Sequence, residues 1–405
     1  MGMKATGSRA SSGLGSRRAI VVGGSLGGLN AAANLLDDGW DVRVFERSPV
    51  LLDGAGAGIV VHEAAVRYLV ERQHVGVEEI SCGSSVIRTY GSAAEPVHEE
   101  PSTYRLTSWS TLYRSLLNAV GLNRYELDHC LVGIEQDADV VRAIFASGAV
   151  AEGDLLVCAD GINSAARGLL AGSAAPVYAG YVGWRGIVRA DELSEATYAE
   201  LAHAVSFGVS ANGHIVAYPI PGQGRYAASE ASAINYVWYR NIAEGPAYDR
   251  LMTGRDNVRR TVAVQPGFVA AEFIDEMRFE AKDTLAAPLA DLVVSTQEPF
   301  LQSIVDLESP RMAFGRVALI GDAAFTARPH AAAGTAKAAE NGWRLAESLR
   351  DAEVTRALAA WEPAQLELGS NLVARTRMIG GRWQFGPAWQ PGDPELRFGL
   401  YGPGR

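Results

Sequence analysis

Apolar and polar positions along the chain switch between strand and helix spacing in a regular order. The run Ala19-Ile20-Val21-Val22 is short, unbroken and rich in β-branched residues, which predicts a buried strand. It stops at Gly23-Gly24-Ser25-Leu26-Gly27-Gly28, and the helix-favouring run Asn30 to Leu36 follows at once. Strand, tight turn and helix are therefore expected, with Asp41 to Glu46 as the next strand. Helical spacing returns over Glu63 to Gln73, and Thr107-Ser108-Trp109-Ser110 caps a helix running through Leu117. Between them Ile80 to Tyr90 alternates as a strand does, and the acidic, proline-bounded segment to Pro101 reads as a hairpin or loop. Strands resume over Cys130 to Phe145 and Asp154 to Ala159.

From Tyr178 the texture becomes that of an antiparallel sheet. Tyr181 to Arg189 alternates, Val205 to Pro221 carries Asn212-Gly213 as a two-residue hairpin signal, and Arg225 to Arg240 is a long aromatic-rich strand. Arg316 to Ala324 is again a buried strand, ending in Gly321-Asp322. Pro329 and Ala331-Ala332-Ala333-Gly334 then open a helix through Leu349. A further helix, Thr355 to Met378, contains Pro363 and is expected to be kinked or split there. The tail from Gly380 has no clear period.

These elements predict an α/β fold: a Rossmann-like nucleotide-binding domain with an inserted antiparallel-sheet domain and C-terminal helices. The nucleotide domain is expected over 17–75, 102–177 and 285–350, the sheet domain over 76–101 and 178–284, and a helical segment with its tail over 351–405. Residues 1–16 are Gly/Ser/Ala-rich with basic residues and no apolar run, and read as a disordered leader.

Composition narrows the functional classes. With 36 Lys and Arg against 46 Asp and Glu, the net charge of −10 argues against nucleic acid or an anionic membrane as main partner. The long apolar stretches are strands broken by glycine, so no membrane span is expected. The seven His show no metal-ligand spacing, and no metal is expected. Cys82, Cys130 and Cys158 are odd in number and far apart, which fits a reducing cytoplasm better than a disulfide framework.

The glycine turn carries the first candidate chemistry. A helix that starts directly after a strand turns its free N–H groups and positive dipole end towards whatever sits above the strand, and a pyrophosphate fits such a site. Gly23 allows the turn and Gly28 lets helix and strand approach, while Ser25 takes the middle glycine position of G-x-G-x-x-G. Glu46 stands 23 positions after Gly23, near the roughly 20 expected for a carboxylate on a ribose hydroxyl. The plain alternative for Glu46 is a solvated strand end. A ribose with a free 2′-hydroxyl points to NAD or FAD. Asp160-Gly161 ends a second apolar strand, and its plain reading is a capped turn.

Taken in order, the glycine turn with Glu46, then Asp160-Gly161, then Gly321-Asp322 with Pro329 resemble the FAD-dependent aromatic hydroxylases of the para-hydroxybenzoate hydroxylase type. The resemblance covers about residues 17–350. Within that group Tyr181-Val182-Gly183-Trp184-Arg185-Gly186 and Arg328-Pro329-His330 are similar to the 2,6-dihydroxypyridine 3-hydroxylase branch. The resemblance implies that Gly23, Ser25, Leu26 and Gly28 surround the FAD pyrophosphate. It places Glu46 and Arg47 at the adenosine ribose, and Asp322, with Gly321, at the ribityl or pyrophosphate side. Pro329 to Gly334, Ala333 included, would lie against the isoalloxazine ring, and Asp160 would serve FAD and the passing nicotinamide. The chain departs from the pattern at Trp109, where Arg is usual, at Ala331, where Gly is usual, and at Ala336, where Asn is usual.

The implied activity is an FAD-dependent monooxygenase using NADH or NADPH and O2, through a C4a-hydroperoxyflavin, to hydroxylate a phenolic or hydroxylated N-heteroaromatic substrate. The implied partners are that small aromatic compound and O2, with a homodimer as candidate assembly. Tyr218, Arg185 and His330 are the candidate catalytic residues. Their plain alternatives are a core aromatic, a strand-surface charge and a satisfied loop histidine. Two other readings stand beside this one. A flavin halogenase should carry W-x-W-x-I-P, which is absent, and a non-catalytic flavin- or drug-binding protein would lack substrate-stimulated NAD(P)H oxidation.

Overall fold

The computed structural model describes residues 17–54, 56–91, 95–172, 174–210, 212–222, 231–385 and 390–405. The leader and the first residues of the strand expected from Arg225 lie outside them.

A six-stranded sheet forms the nucleotide half. Its order is Ala313–Phe314, Val317–Leu319, Leu155–Cys158, Arg18–Val22, Asp41–Phe45 and Tyr125–Glu126. All neighbours are parallel except the outermost pair, Ala313–Phe314 with Val317–Leu319. Parallel strands need crossovers that cover both faces, which is why Ala19-Ile20-Val21-Val22 and Leu155 to Cys158 are continuous apolar runs. The helix Leu26–Asp37 lies on one face through Ala31, Ala32 and Ala33, all fully buried. Small residues let a second helix, Gly334–Leu349, cross it closely: a Cβ on Gly342 would sit 3.0 Å from the Ala31 backbone. The two strand ends that carry the glycine turn and Gly321-Asp322 thus leave the same edge of one sheet. A crevice is formed there, at the carboxyl ends of parallel strands.

The second half is a nine-stranded sheet. Along its main path it runs Ala263–Val264, Phe300–Glu308, Val177–Arg189, Ala231–Asn241, Gly213–Pro221, Ala204–Ser210, Val86–Tyr90 and Pro96–Pro101, with Phe325–Thr326 pairing Phe300–Glu308 off that path. Side chains alternate across it. Val182, Trp184, Ile215, Ala217, Ile234, Tyr236 and Trp238 face the helices Ala271–Thr284 and Ala287–Val294. Tyr181, Val216, Tyr218, Val237 and Tyr239 face the nucleotide half.

Three expectations change. Residues 285–308 belong with the sheet domain, not the nucleotide domain, because Phe300–Glu308 hydrogen-bonds to Val177–Arg189 and Leu289, Leu292 and Val293 fill the sheet's core. Gly213 is in the strand and not in the turn: it pairs with Ser210, so the reversal falls one residue earlier than the Asn-Gly pair. Its φ of 141° and the Tyr239 carbonyl, 1.9 Å from a would-be Cβ, show that the glycine serves close strand approach. The helix at Pro363 is not split. Val354–Gln384 runs for 31 residues, with Leu358 and Trp361 buried before the proline and Gln365 and Gly369 after it. Packing on both sides outweighs the ~3 kcal/mol that an interior proline costs. The helix from Glu63 is found, but it passes from α to π geometry at Tyr68–Arg72.

Candidate active site

The glycine turn is built as the spacing requires. Gly23 has φ +102°, and a Cβ there would lie 2.3 Å from the Ala159 carbonyl oxygen; one on Gly28 would lie 1.9 Å from the Gly23 carbonyl oxygen. Ser25 is the N-cap of Leu26–Asp37 in extended conformation, with no side-chain cap and no acid in the first turn. The helix N-terminus is therefore open to an anion. Glu46 is buried, not a solvated strand end. Its Oε2 accepts the Gly24 N–H at 2.8 Å and its Oε1 accepts the Ser48 N–H at 2.9 Å. Tyr125 donates its hydroxyl to the Gly24 carbonyl at 3.0 Å. A cavity of about 310 Å³ adjoins this turn, with Gly23, Ser25, Glu46, exposed Arg47, Asp160 and Gly161 in its wall. Asp160 also accepts Ser164 Oγ at 2.6 Å and the Ala166 N–H at 3.1 Å, capping the helix Ala165–Leu170.

A second, larger cavity of about 430 Å³ shares Ser25, Ala159 and Gly161 with the first. Leu26, Gly321, Asp322, Pro329, Ala333, Gly334 and Trp109 line it, and Trp109 stacks on Tyr113 at 4.7 Å. Gly321 has φ +61°, and its N–H donates to Asn341 Oδ1 at 3.0 Å. The Asp322 carboxylate accepts Lys337 Nζ at 3.0 Å. After the turn Pro329–Ala331, Ala332 takes φ 52°, a left-handed conformation that a β-carbon disfavours. Its carbonyl is held by His62, whose Nε2 donates at 3.0 Å. Gly334–Leu349 then begins, again without a side-chain cap or a first-turn acid. Two uncapped helix N-termini thus open onto one elongated site.

The sheet supplies the far wall. Tyr218, Arg185, Val216, Val237, Tyr239 and Gln302 line the larger cavity there. Burial pushes the Tyr218 phenol up to about 12, with the Arg185 charge pulling against it. Arg185 is half-buried, and its Nε has no hydrogen-bond partner among the described residues. Asn235, opposite Tyr218 in the sheet, accepts the Gly58 N–H at 2.9 Å through Oδ1, while its Nδ2 has no partner among the described residues.

His330 does not join Tyr218 and Arg185. It lies behind the wall, buried, with Nε2 2.7 Å from the Tyr181 hydroxyl and its ring against Tyr239 and His214. Burial, reinforced by the Arg328 charge, pushes it down to about 3, so it is neutral at ordinary pH. The reason is local: the turn that presents Pro329 and Ala332 to the cavity rotates the intervening side chain away. Its environment is that of a satisfied loop histidine.

Residues the sequence did not single out complete the site. Lys337 is the one lysine of the helix Gly334–Leu349, a signal that could have been read. Gln302 lines the cavity from Phe300–Glu308, a strand the sequence did not predict, and Asn235 holds the Gly58 N–H from the position paired with Tyr218; the register that puts both there is tertiary. Phe398, from the aperiodic tail, lines the cavity and has no sequence signal at all.

The residues present fit FAD. The site has a length of two joined cavities, an uncapped helix N-terminus at each, glycines where a β-carbon would strike backbone, and the buried Glu46 carboxylate beside the glycine turn. Residues 178–306 match the family model described as FAD binding domain-like, the segment that spans the large sheet from its Val177–Arg189 strand to Phe300–Glu308. The chain is 38% identical over 385 residues to 2,6-dihydroxypyridine 3-monooxygenase of Paenarthrobacter nicotinovorans, covering 95% of this chain and 96% of that protein. It is 26% identical over 362 residues to 6-hydroxynicotinate 3-monooxygenase of Pseudomonas fluorescens, covering 83% of each. The solved structure of 2,6-dihydroxypyridine-3-hydroxylase from Arthrobacter nicotinovorans superposes with a TM-score of 0.90 over 95% of this chain and 97% of that one, at 38% identity. Klebsiella pneumoniae HpxO, solved with FAD and uric acid, shares the fold at 23% identity, with a TM-score of 0.75 over 92% of this chain and 90% of that one. A relative matched at 38% identity over nearly its whole length, on a fold whose glycine turn and Gly-Asp turn meet along one cavity, places this chain in the family of FAD-dependent aromatic hydroxylases, flavoprotein monooxygenases of the para-hydroxybenzoate hydroxylase type.

Proposed function

We propose that the protein hydroxylates a small phenolic or hydroxylated N-heteroaromatic ring, with NADH or NADPH as reductant and O2 as oxygen donor. Bound FAD supplies the two-electron and oxygen chemistry. The first turn of Leu26–Asp37, with Gly23, Ser25 and Gly28, holds the pyrophosphate, and Glu46 holds the adenosine ribose. Asp322 holds the ribityl side, and the backbone from Pro329 to Gly334 holds the flavin's polar edge.

The observation that carries the substrate reading is the meeting of Arg185 and Tyr218 on the sheet wall, with a buried guanidinium nitrogen left unpartnered. A ring hydroxyl or its anion completes that donor set. Tyr218, kept protonated by burial, donates to the substrate oxygen, and Arg185 favours its deprotonated form. Loss of that proton raises electron density on the ring carbons beside the oxygen, which is what an electrophilic oxygen donor needs. Val216, Val237 and Tyr239 keep the region dry. The hydroxylated pyridine and nicotinate in the relatives' names are compounds of this class. The free cysteines, including exposed Cys130, support a cytoplasmic setting; no described helix is long and apolar enough to cross a membrane.

The test is direct. Purified protein should release FAD on denaturation and, with a dihydroxypyridine, hydroxynicotinate or phenol, show NAD(P)H oxidation with O2 uptake and a hydroxylated product. Protein that binds FAD but responds to none of these rings refutes the substrate reading; protein that takes up no FAD refutes the cofactor assignment.

A further inference from the structure

Lys337 stands out on chemical grounds. The sequence uses lysine at only three positions, Lys4, Lys282 and Lys337, and relies on arginine elsewhere. Of the two among the described residues, Lys282 is exposed and Lys337 lies inside: its side chain is 1% exposed, against 49% for its partner Asp322. The ammonium reaches the Asp322 carboxylate at 3.0 Å and also donates to the Phe325 carbonyl. A compact point charge fits between these two acceptors, where a planar guanidinium would need a wider slot. One helical turn further along the same helix face, Asn341 accepts the Gly321 N–H at 3.0 Å and donates to Gln365 at 2.8 Å. Two successive turns of Gly334–Leu349 thus grip the Gly321-Asp322 turn from behind.

The asymmetry of the pair has a consequence. The carboxylate stands in the cavity wall, while the cation is hidden from solvent behind it. A buried charge is little screened by salt or water, so a ligand in the cavity feels it. The neighbouring residues Ala333, Gly334, Thr335 and Ala338 line the same cavity, so the ammonium lies in the first two turns of the helix that faces the ligand. Without the ammonium, Asp322 would present an uncompensated negative charge to a cofactor that carries a pyrophosphate and gains negative charge when reduced.

We propose that Lys337 is a positioning residue of the cofactor site, whose buried ammonium fixes and neutralises Asp322 and so sets both the affinity for FAD and the redox potential of the bound flavin. This rests on the cofactor assignment above but not on the identity of the substrate.

The test uses Lys337→Met, which keeps length and apolar volume. FAD binding to the apoprotein is followed by quenching of flavin fluorescence, the potential of the bound flavin by dye-equilibrated reductive titration, and the fold of the apoprotein by CD and thermal melting. We expect the FAD dissociation constant to rise at least tenfold. The reduced form should lose about tenfold more than the oxidised form, which lowers the two-electron potential by about 30 mV. Asp322→Asn should move the potential the other way, upwards, because the ammonium then stands without its counter-charge. Adding Asp322→Asn to Lys337→Met should restore most of the lost potential. An unchanged potential in a folded Lys337→Met that holds FAD overturns the proposal, even if its apoprotein melts earlier, since that pattern is purely structural. If Lys337→Met does not fold, Asp322→Asn decides alone: an unchanged or lowered potential overturns the proposal. None of these readouts needs turnover, so a failed substrate screen leaves them standing, and only failure of the native protein to bind FAD removes the cofactor assignment itself.

Discussion

Glu46→Gln separates the two ends of the nucleotide argument. In the folded chain both carboxylate oxygens accept backbone N–H groups, from Gly24 at 2.8 Å and from Ser48 at 2.9 Å. Glutamine keeps the size, so no cavity opens, but it offers one oxygen and one NH2 group. Whichever backbone N–H meets the NH2 loses its acceptor and faces a donor. A buried hydrogen bond to a charged partner contributes about 1.5–3 kcal/mol, and the removal of one leaves an unsatisfied group of similar cost. Gly24 belongs to the turn that shapes the pyrophosphate site, and the same carboxylate is assigned to the ribose. The deficit should therefore appear in FAD binding, as a rise in dissociation constant of about 10- to 150-fold, at 1.4 kcal/mol per decade. The assay is titration of apoprotein with FAD by fluorescence quenching, with the urea midpoint of the apoprotein measured beside it. A folded Glu46→Gln apoprotein that binds FAD within twofold of the native value would refute the reasoning. A lowered urea midpoint with unchanged affinity would reduce Glu46 to a brace for the turn.

Tyr218→Phe should retain FAD and slow hydroxylation by about 10²-fold or more, while a larger share of NAD(P)H consumption ends as hydrogen peroxide; normal coupling measured by product against O2 would leave Tyr218 as packing only. His330 gives a pH prediction whose sign follows from its depressed value. It is neutral when folded down to about 3 and ordinarily titrates near 6.5 when unfolded, so its contribution is intact above about 6.5 and is lost as pH falls towards 3. At pH 5 that loss is about 2 kcal/mol, at 1.36 kcal/mol per unit, and urea midpoints of His330→Gln should fall less between pH 7 and 5 than those of the native protein. Equal slopes would contradict the burial argument. Gly28→Ala should lose FAD and about 1–3 kcal/mol of stability, because its β-carbon would lie 1.9 Å from the Gly23 carbonyl oxygen. Gly168→Ala, with nothing within 4 Å, should be neutral or stabilising by up to ~1 kcal/mol; equal thermal shifts in the two variants would show that contact with the turn is not what matters.

Local chemistry was enough for part of this molecule. The β-branched run, the glycine turn and the Ala-rich helix state a strand–turn–helix by themselves, because conformational preference and burial are both decided within about twenty residues. Gly321-Asp322 and the acid at Glu46 were legible for the same reason: each ends a strand whose apolar run is visible. The sequence also separated the aromatic-rich antiparallel segment from the rest, since strand alternation and helix spacing differ in period.

What neighbours contribute could not be read that way. Residues 285–308 follow the sheet domain because a strand pairs with whatever edge is open, here Val177–Arg189, and edge pairing is a long-range choice. Asn212-Gly213 favoured a turn one residue late, and the partner strand's Tyr239 set the register instead. Pro363 stayed inside a helix because burial on both sides outweighed a local cost. His330 turned from cavity to core through a backbone rotation of three residues, and Phe398 entered the cavity wall from a tail without any period. Lys337 and Asp322 are fifteen positions apart and form one unit only when the helix Gly334–Leu349 folds back along the strand end. The sequence by itself thus determined the type of each element and the ligand class of its turns. Pairing edge, side-chain direction and the partner of each buried charge were decided by the tertiary structure, because each depends on surfaces that distant segments create only on packing together.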